Sequence, residues 1–281
     1  MKNILLPTDF SNNSLNAIQY AVALFKVEIC HFHILNIQKT SSFISDDLIR
    51  VSATNTIYDT IVKAAQMSIH NIILGVKNMH DNPKHTFSAI VDYDNFTDSI
   101  NQIIETRHID LIVMGTKGAT GLKQVFFGSN TVKVMQRCRV PVLAIPENYK
   151  FAQIKQTAIA TSFKGEYSSG DLKPCKDIIA LTNSEIKVLH VFYKENVAEE
   201  LNTGVDFFNS NFSKIKFDYL KLNDDNIQKA LKAYIKNNKI GLMVMMKKPS
   251  AFANRLLSKG MVENFAFSLP IPFLVIPKTI M

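Results

Sequence analysis

Short continuous apolar runs alternate along the chain with longer stretches in which apolar residues recur every three or four positions. The run "NILLP" reads as a strand. Behind it, "SNNSLNAIQYAVALF" places Leu15, Ile18, Val22 and Phe25 at helical spacing after a Ser11 cap. "CHFHIL" is a second strand. A long helical stretch around "TIYDTIVKAAQMSI" follows, then the strand "TFSAIV", the helix "NFTDSINQIIETR", the strand "DLIVMG", a helix through "TVKVMQRC" and the last strand "PVLAI". Apolar strands alternating with helices predict a parallel sheet covered on both faces.

The same order then recurs. "DLIVMGTKG…VPVLAIPE" lies over "GLMVMMKKP…IPFLVIPK" at a constant offset of 131, with Met114 on Met245, Pro141 on Pro272 and Pro146 on Pro277. Earlier in each half, "NILLPTDF" lies over "TAIATSF", which pairs Asp9 with Ser162, and "HFHIL" lies over "VLHVF", which pairs His33 with His190. The expected fold is therefore α/β, with two repeated doubly wound parallel five-stranded sheets. Between its second and third strands the second half is much shorter, and a short helix is expected around "NVAEELNTGVDFFNSN". The join near "ENYKFAQIK" is too short for a flexible tether, so the halves, 1–148 and 149–281, should pack closely.

Composition narrows the function classes. With 281 residues, 47% hydrophobic and 20% charged, the chain can bury two cores of ordinary size. The start "MKNILLPTDF" lacks the apolar core of a signal peptide and no apolar run has membrane-spanning length, so a cytoplasmic location is expected. Cys30, Cys138 and Cys175 are odd in number and widely spaced, which predicts buried thiols rather than disulfides or a zinc knuckle. The net charge of +8 divides into +1 for the first half and +7 for the second. Those lysines are scattered along helical segments such as "NIQKALKAYIKNNK" and form no compact basic motif, so neither nucleic acid nor a membrane is an expected partner. His31 and His33 share one side of a strand, but no carboxylate sits at ligand spacing and only His33 recurs in the second half; no metal site is expected.

The candidate chemistry lies in "GTKGATGLKQVFFGSN", which holds four of the ten glycines. Neither GxxxxGK[ST] nor GxGxxG is present; what remains is Gly115-x2-Gly118-x9-Gly128-Ser129 between a strand and a helix. Gly115 and Gly118 would let a nucleotide approach main-chain amides. Gly128, Ser129 and Thr131 would open a helix whose free N–H groups and hydroxyls hold phosphate oxygens. Lys117 is either a surface charge or a phosphate counter-charge. In a doubly wound sheet this stretch meets the end of the first strand, where Asp9 could accept from ribose hydroxyls or hold a magnesium ion.

Together, "PTDF", the histidine closing the second strand and G-2x-G-9x-G-S before "VPVLAIP" resemble the universal stress protein family in its tandem form, over nearly the whole chain. The resemblance implies a Rossmann-like sheet of the HUP, or adenine nucleotide alpha hydrolase-like, type. It also implies an ATP site built from Pro7, Thr8 and Asp9 near the ribose, the Ile34 main chain on adenine, and Met114, Gly115, Gly118, Gly128, Ser129, Asn130 and Thr131 on the phosphates, with magnesium accompanying the nucleotide. Asn130 departs from the small apolar residue usual there. In the second half Ser162, Met246, Pro249, Lys259 and Gly260 stand where the first has Asp9, Gly115, Gly118, Gly128 and Ser129, so an equivalent site is not expected there, although Lys259-Gly260 could bind an anion after a one-residue shift. No general base accompanies the glycines, so the expected function is non-catalytic: a nucleotide-dependent stress-response or regulatory protein with an unidentified protein partner. A weak ATPase, or a nucleotide-independent scaffold acting through the second half, are the alternatives. The resemblance further implies pairing of the last strands of the two halves, an intramolecular pseudo-dimer, with a homodimer of chains left open.

Overall fold

The computed structural model describes residues 1–38, 51–93, 95–116, 129–161, 168–192, 198–221, 227–246 and 269–277. The first half contains β1 (Lys2–Pro7), α1 (Asn12–Leu24), β2 (Cys30–Ile37), α2 (Val51–Met79), β3 (His85–Asp92), α3 (Phe96–Thr106), β4 (Leu111–Gly115), α4 (Ser129–Arg137) and β5 (Val142–Ile145). The second repeats that order with β6 (Gln156–Thr161), α5 (Lys173–Thr182), β7 (Glu185–Phe192), α6 (Ala198–Asn211), β8 (Ile215–Lys221), α7 (Ile227–Asn237), β9 (Leu242–Met246) and β10 (Phe273–Ile276). Helix α2 has 29 residues and α6 has 14, which matches the shorter second-half crossover.

The two expected sheets form one. Strand order is β3-β2-β1-β4-β5-β10-β9-β6-β7-β8, parallel within each half and antiparallel where β5 meets β10, with Leu143 opposite Leu274. Strands buried on both faces explain the continuous apolar runs. Successive residues point to opposite faces: Leu5, Met114, Ala144 and Phe273 join one core cluster, and Ile4, Val113, Ile145 and Leu274 join the other. Residues of α3, α4 and α7 complete the first cluster; residues of α1, α2, α5 and α6 complete the second. Both clusters draw on both halves, so the join is core rather than tether.

Side chains reinforce the seam. Tyr20 of α1 is 5.3 Å from the Phe151 ring and 6.2 Å from Tyr149, and Asn16 Nδ2 donates to the Tyr149 carbonyl at 3.1 Å. Lys2 of β1 reaches Asp177 of α5 at 2.6 Å. Burial alone would raise the Asp177 carboxyl, but hydrogen bonds from Lys2 and Lys173 outweigh it and hold the group below its ordinary range. Cys30, Cys138 and Cys175 are buried and free. Among the described residues no helix is long and apolar enough to cross a membrane.

Candidate functional site

The first half reverses its winding order between the parallel strands β1 and β4. From β1 the chain winds outward through β2 and β3, while β4 and β5 lie on its other side. A crevice opens where such an order reverses, at the carboxyl ends of the strands. Because β1 pairs directly with β4, the turn after Pro7 and the end of β4 at Gly115 are neighbours.

The turn from β1 into α1 is held by its own polar groups. Thr8 donates its N–H to Leu35 O at 2.7 Å, its Oγ1 lies 2.9 Å from Ser14 Oγ, and that same Oγ1 accepts from Phe10 N–H. Phe10 takes φ 62°, a left-handed residue that reverses the chain. Asp9 is exposed and its Oδ1 accepts from both the N–H and the hydroxyl of Ser11. Ser11 in turn caps α1 by accepting from Ser14 N–H. Asp9 therefore stands at the mouth of the crevice with its orientation set by the capping serine.

At the end of β4, Met114 is buried and Gly115 is followed by the buried Thr116, whose N–H donates to Ile145 O at 3.0 Å. Thr131 Oγ1 donates to Gly115 O at 3.0 Å. That bond sets the first turn of α4, formed by Ser129, Asn130 and Thr131, against the end of β4. The first N–H groups of a helix have no intrahelical partner, so this turn directs donors at the crevice.

Three of the expected site residues have packed surroundings in the structure. A Cβ on Gly115 would lie 2.6 Å from Asn13 Nδ2, 2.8 Å from Asn13 Cγ and 3.0 Å from Asn13 O, so the space that Gly115 vacates is occupied by the first turn of α1. The Thr131 hydroxyl proton goes to Gly115 rather than outward, leaving Thr131 its main-chain N–H for a ligand. The Ile34 side chain is fully buried, opposite Leu6 and Ala89, and β2 reaches the turn through Leu35 O, which accepts from Thr8 N–H, and through Asn36, whose Nδ2 donates to Thr8 O at 2.8 Å. Asn13 and Asn36 carried no signal in the sequence pattern. Gly118, Gly128, Lys117 and the Ser129 side chain lie outside the described residues, as do Ser162, Pro249, Lys259 and Gly260.

Beside Ile34, His33 is a packed residue. Its Nδ1 lies 2.9 Å from Ser88 Oγ and its ring stacks on His31 at 4.3 Å. Burial pushes its pKa down to about 4, with His31 and Arg107 adding to the effect, so the imidazole is neutral at physiological pH. No cluster of three or more metal-ligating side chains occurs among the described residues.

In the second half Met246 occupies the position of Gly115 and is buried with Leu172, Cys175 and Ile276. Helix α5 starts at Lys173, with eleven residues between it and the end of β6 at Thr161, and Leu172 makes no side-chain cap. Its start is set back relative to that of α1, and a methionine side chain fills that region of the core.

A model described as the universal stress protein family matches residues 1–146, slightly over half of the chain. The chain belongs to this family. Among curated proteins, universal stress proteins MJ0531 and MJ0577 of Methanocaldococcus jannaschii are each similar to this member at 26% identity. The aligned stretches of 149 and 159 residues cover 53% and 51% of this chain and 84% and 94% of the relatives. Among solved structures, a universal stress protein from Archaeoglobus fulgidus matches over 98% of this chain and 96% of its own with a TM-score of 0.66 at 16% identity. A second, from Pseudomonas aeruginosa, matches over 99% and 94% with a TM-score of 0.59 at 12% identity. These two likenesses establish that this universal stress protein shares its fold, second half included, with other tandem-sized chains.

Proposed function

We propose that this universal stress protein binds one ATP per chain in the crevice between β1 and β4 and acts as a non-catalytic, nucleotide-dependent regulator in the cytoplasm. The observation that carries the reading is the Thr131–Gly115 bond, which brings the donor-rich first turn of α4 to the end of β4 beside the Asp9 turn. Main-chain N–H groups of Ser129, Asn130 and Thr131 would hold phosphate oxygens. Asp9 would accept from ribose hydroxyls with Pro7 and Thr8 beside it, the Ile34 main chain would meet adenine, and Met114 would border the phosphates. Pro7–Ser11, Met114–Thr116 and Ser129–Thr131 together include one carboxylate and no histidine, which supports binding over turnover. Met246 fills the second half's equivalent position, which supports a single site.

Calorimetric titration of the full chain with ATP, with and without magnesium, tests this beside Asp9→Ala and Gly118→Pro. One site per chain, weakened in both variants and without phosphate release, is expected. Absence of binding in protein shown by mass spectrometry to carry no nucleotide would overturn the reading.

A further inference from the structure

On the second half, at the start of β6 and β9, lies a cleft of about 460 Å³, within the range of small-molecule sites. Because β5 and β10 are antiparallel, this cleft faces the same end of the ten-stranded sheet as the β1/β4 crevice. It sits three to four strand spacings away, about 15–20 Å at the usual interstrand distance. It is a different site, built from other residues.

Its chemistry is one-sided. Lys155, Lys236 and Lys239 line it, and no carboxylate does. Lys236 is in the last turn of α7 and Lys239 just beyond, where ammonium groups also offset a helix's negative end. Lys155 comes from the approach to β6 and has no such duty, yet it lines the same space. None of the three forms an ion pair among the described residues. Of the nearby carboxylates, Asp218 is paired, accepting from Tyr234 at 2.7 Å and from Lys187 at 3.2 Å, and Glu185 accepts from the neutral amide of Gln156 at 2.8 Å. Lys155, Lys236 and Lys239 are exposed, and a multivalent anion among them would accept charge-assisted hydrogen bonds. The half-buried Tyr149 supplies apolar surface for the body of such a ligand, over a floor formed by the buried Ile235 and Ile240.

We propose that this cleft is a second anion site that takes a small phosphorylated molecule, its phosphates on Lys155, Lys236 and Lys239 and its less polar part against Tyr149. The site is joined to the first half through Tyr149, whose carbonyl accepts from Asn16 of α1, the helix whose first turn abuts Gly115.

The test uses inorganic pyrophosphate as probe on the full chain, by calorimetry and by ¹⁵N-resolved amide shifts. One saturable site is expected, with shifts at Lys155, Lys239 and Gly241. Affinity should fall at least tenfold in Lys155→Gln/Lys239→Gln, stay unchanged in the exposed control pair Lys63→Gln/Lys216→Gln, and persist in Asp9→Ala. Equal weakening by both lysine pairs, shifts confined to Ser129–Thr131, or no saturable binding would each overturn the proposal. Failure of ATP binding would not, because the amide shifts separate the two sites.

Discussion

Replacing Gly115 by alanine tests the account of the crevice most directly. The glycine has an ordinary backbone conformation that alanine also adopts, so the penalty is steric alone. The added methyl would meet Asn13 Nδ2 at 2.6 Å and Cγ at 2.8 Å, well inside van der Waals contact, and the main-chain Asn13 O at 3.0 Å. The amide can rotate away; the helix backbone cannot without shifting α1 from β4. Overpacking of this kind costs about 1–3 kcal/mol. Urea unfolding of Gly115→Ala should show that loss as a lower midpoint at unchanged slope. Asn13→Ala removes the two closest atoms, so Asn13→Ala/Gly115→Ala should recover part of it, with a coupling energy of at least about 0.5 kcal/mol in the double-mutant cycle. A Gly115→Ala variant within about 0.5 kcal/mol of the parent, or strict additivity with Asn13→Ala, would refute the claim that the glycine accommodates α1.

Two further outcomes follow from buried polar groups. The folded-state pKa of His33, about 4, lies below its ordinary value, so its contribution to stability is full above about pH 6.5 and is lost as pH falls toward 4; in His33→Gln the stability profile between pH 7 and 4 should flatten, by on the order of 1–3 kcal/mol, and an unchanged profile would contradict the burial argument. Tyr20 is 1% exposed and its hydroxyl lacks a hydrogen-bond partner among the described residues, so Tyr20→Phe should be neutral or stabilising by up to about 1 kcal/mol in thermal melts, whereas a loss above that would reveal a partner for the hydroxyl.

The central strands were legible because they are buried on both faces and write their burial as an unbroken apolar run; "DLIVMG" and "GLMVMM" became β4 and β9 almost residue for residue. Helix α1 was equally readable, its Ser11 cap included. The duplication was visible because prolines and methionines recur at one offset. What the pattern could not show is what fills a vacancy. A glycine announces that a Cβ is missing, and Gly115 was read as making room for a ligand when its nearest occupant is Asn13, a polar residue that leaves no trace in hydrophobic periodicity. Thr131 illustrates the same limit: a hydroxyl is available only if the fold has not already used it, and Gly115 O uses this one. The lysine cleft was dispersed in sequence between the start of β6 and the end of α7, so its charges read as solvated helix faces.

The antiparallel β5–β10 joint also orders events during synthesis. Strand β5 ends at Ile145, but the strand that covers its outer edge ends at Ile276. At translation rates of roughly 5–20 residues per second, the first half therefore waits on the order of ten seconds with the edge at Val142–Ala144 open to any extended chain nearby. A nascent first half that recruits another molecule's β10 in that interval would emerge as a strand-exchanged oligomer, so the rate of elongation through the second half sets how much of the protein closes on itself.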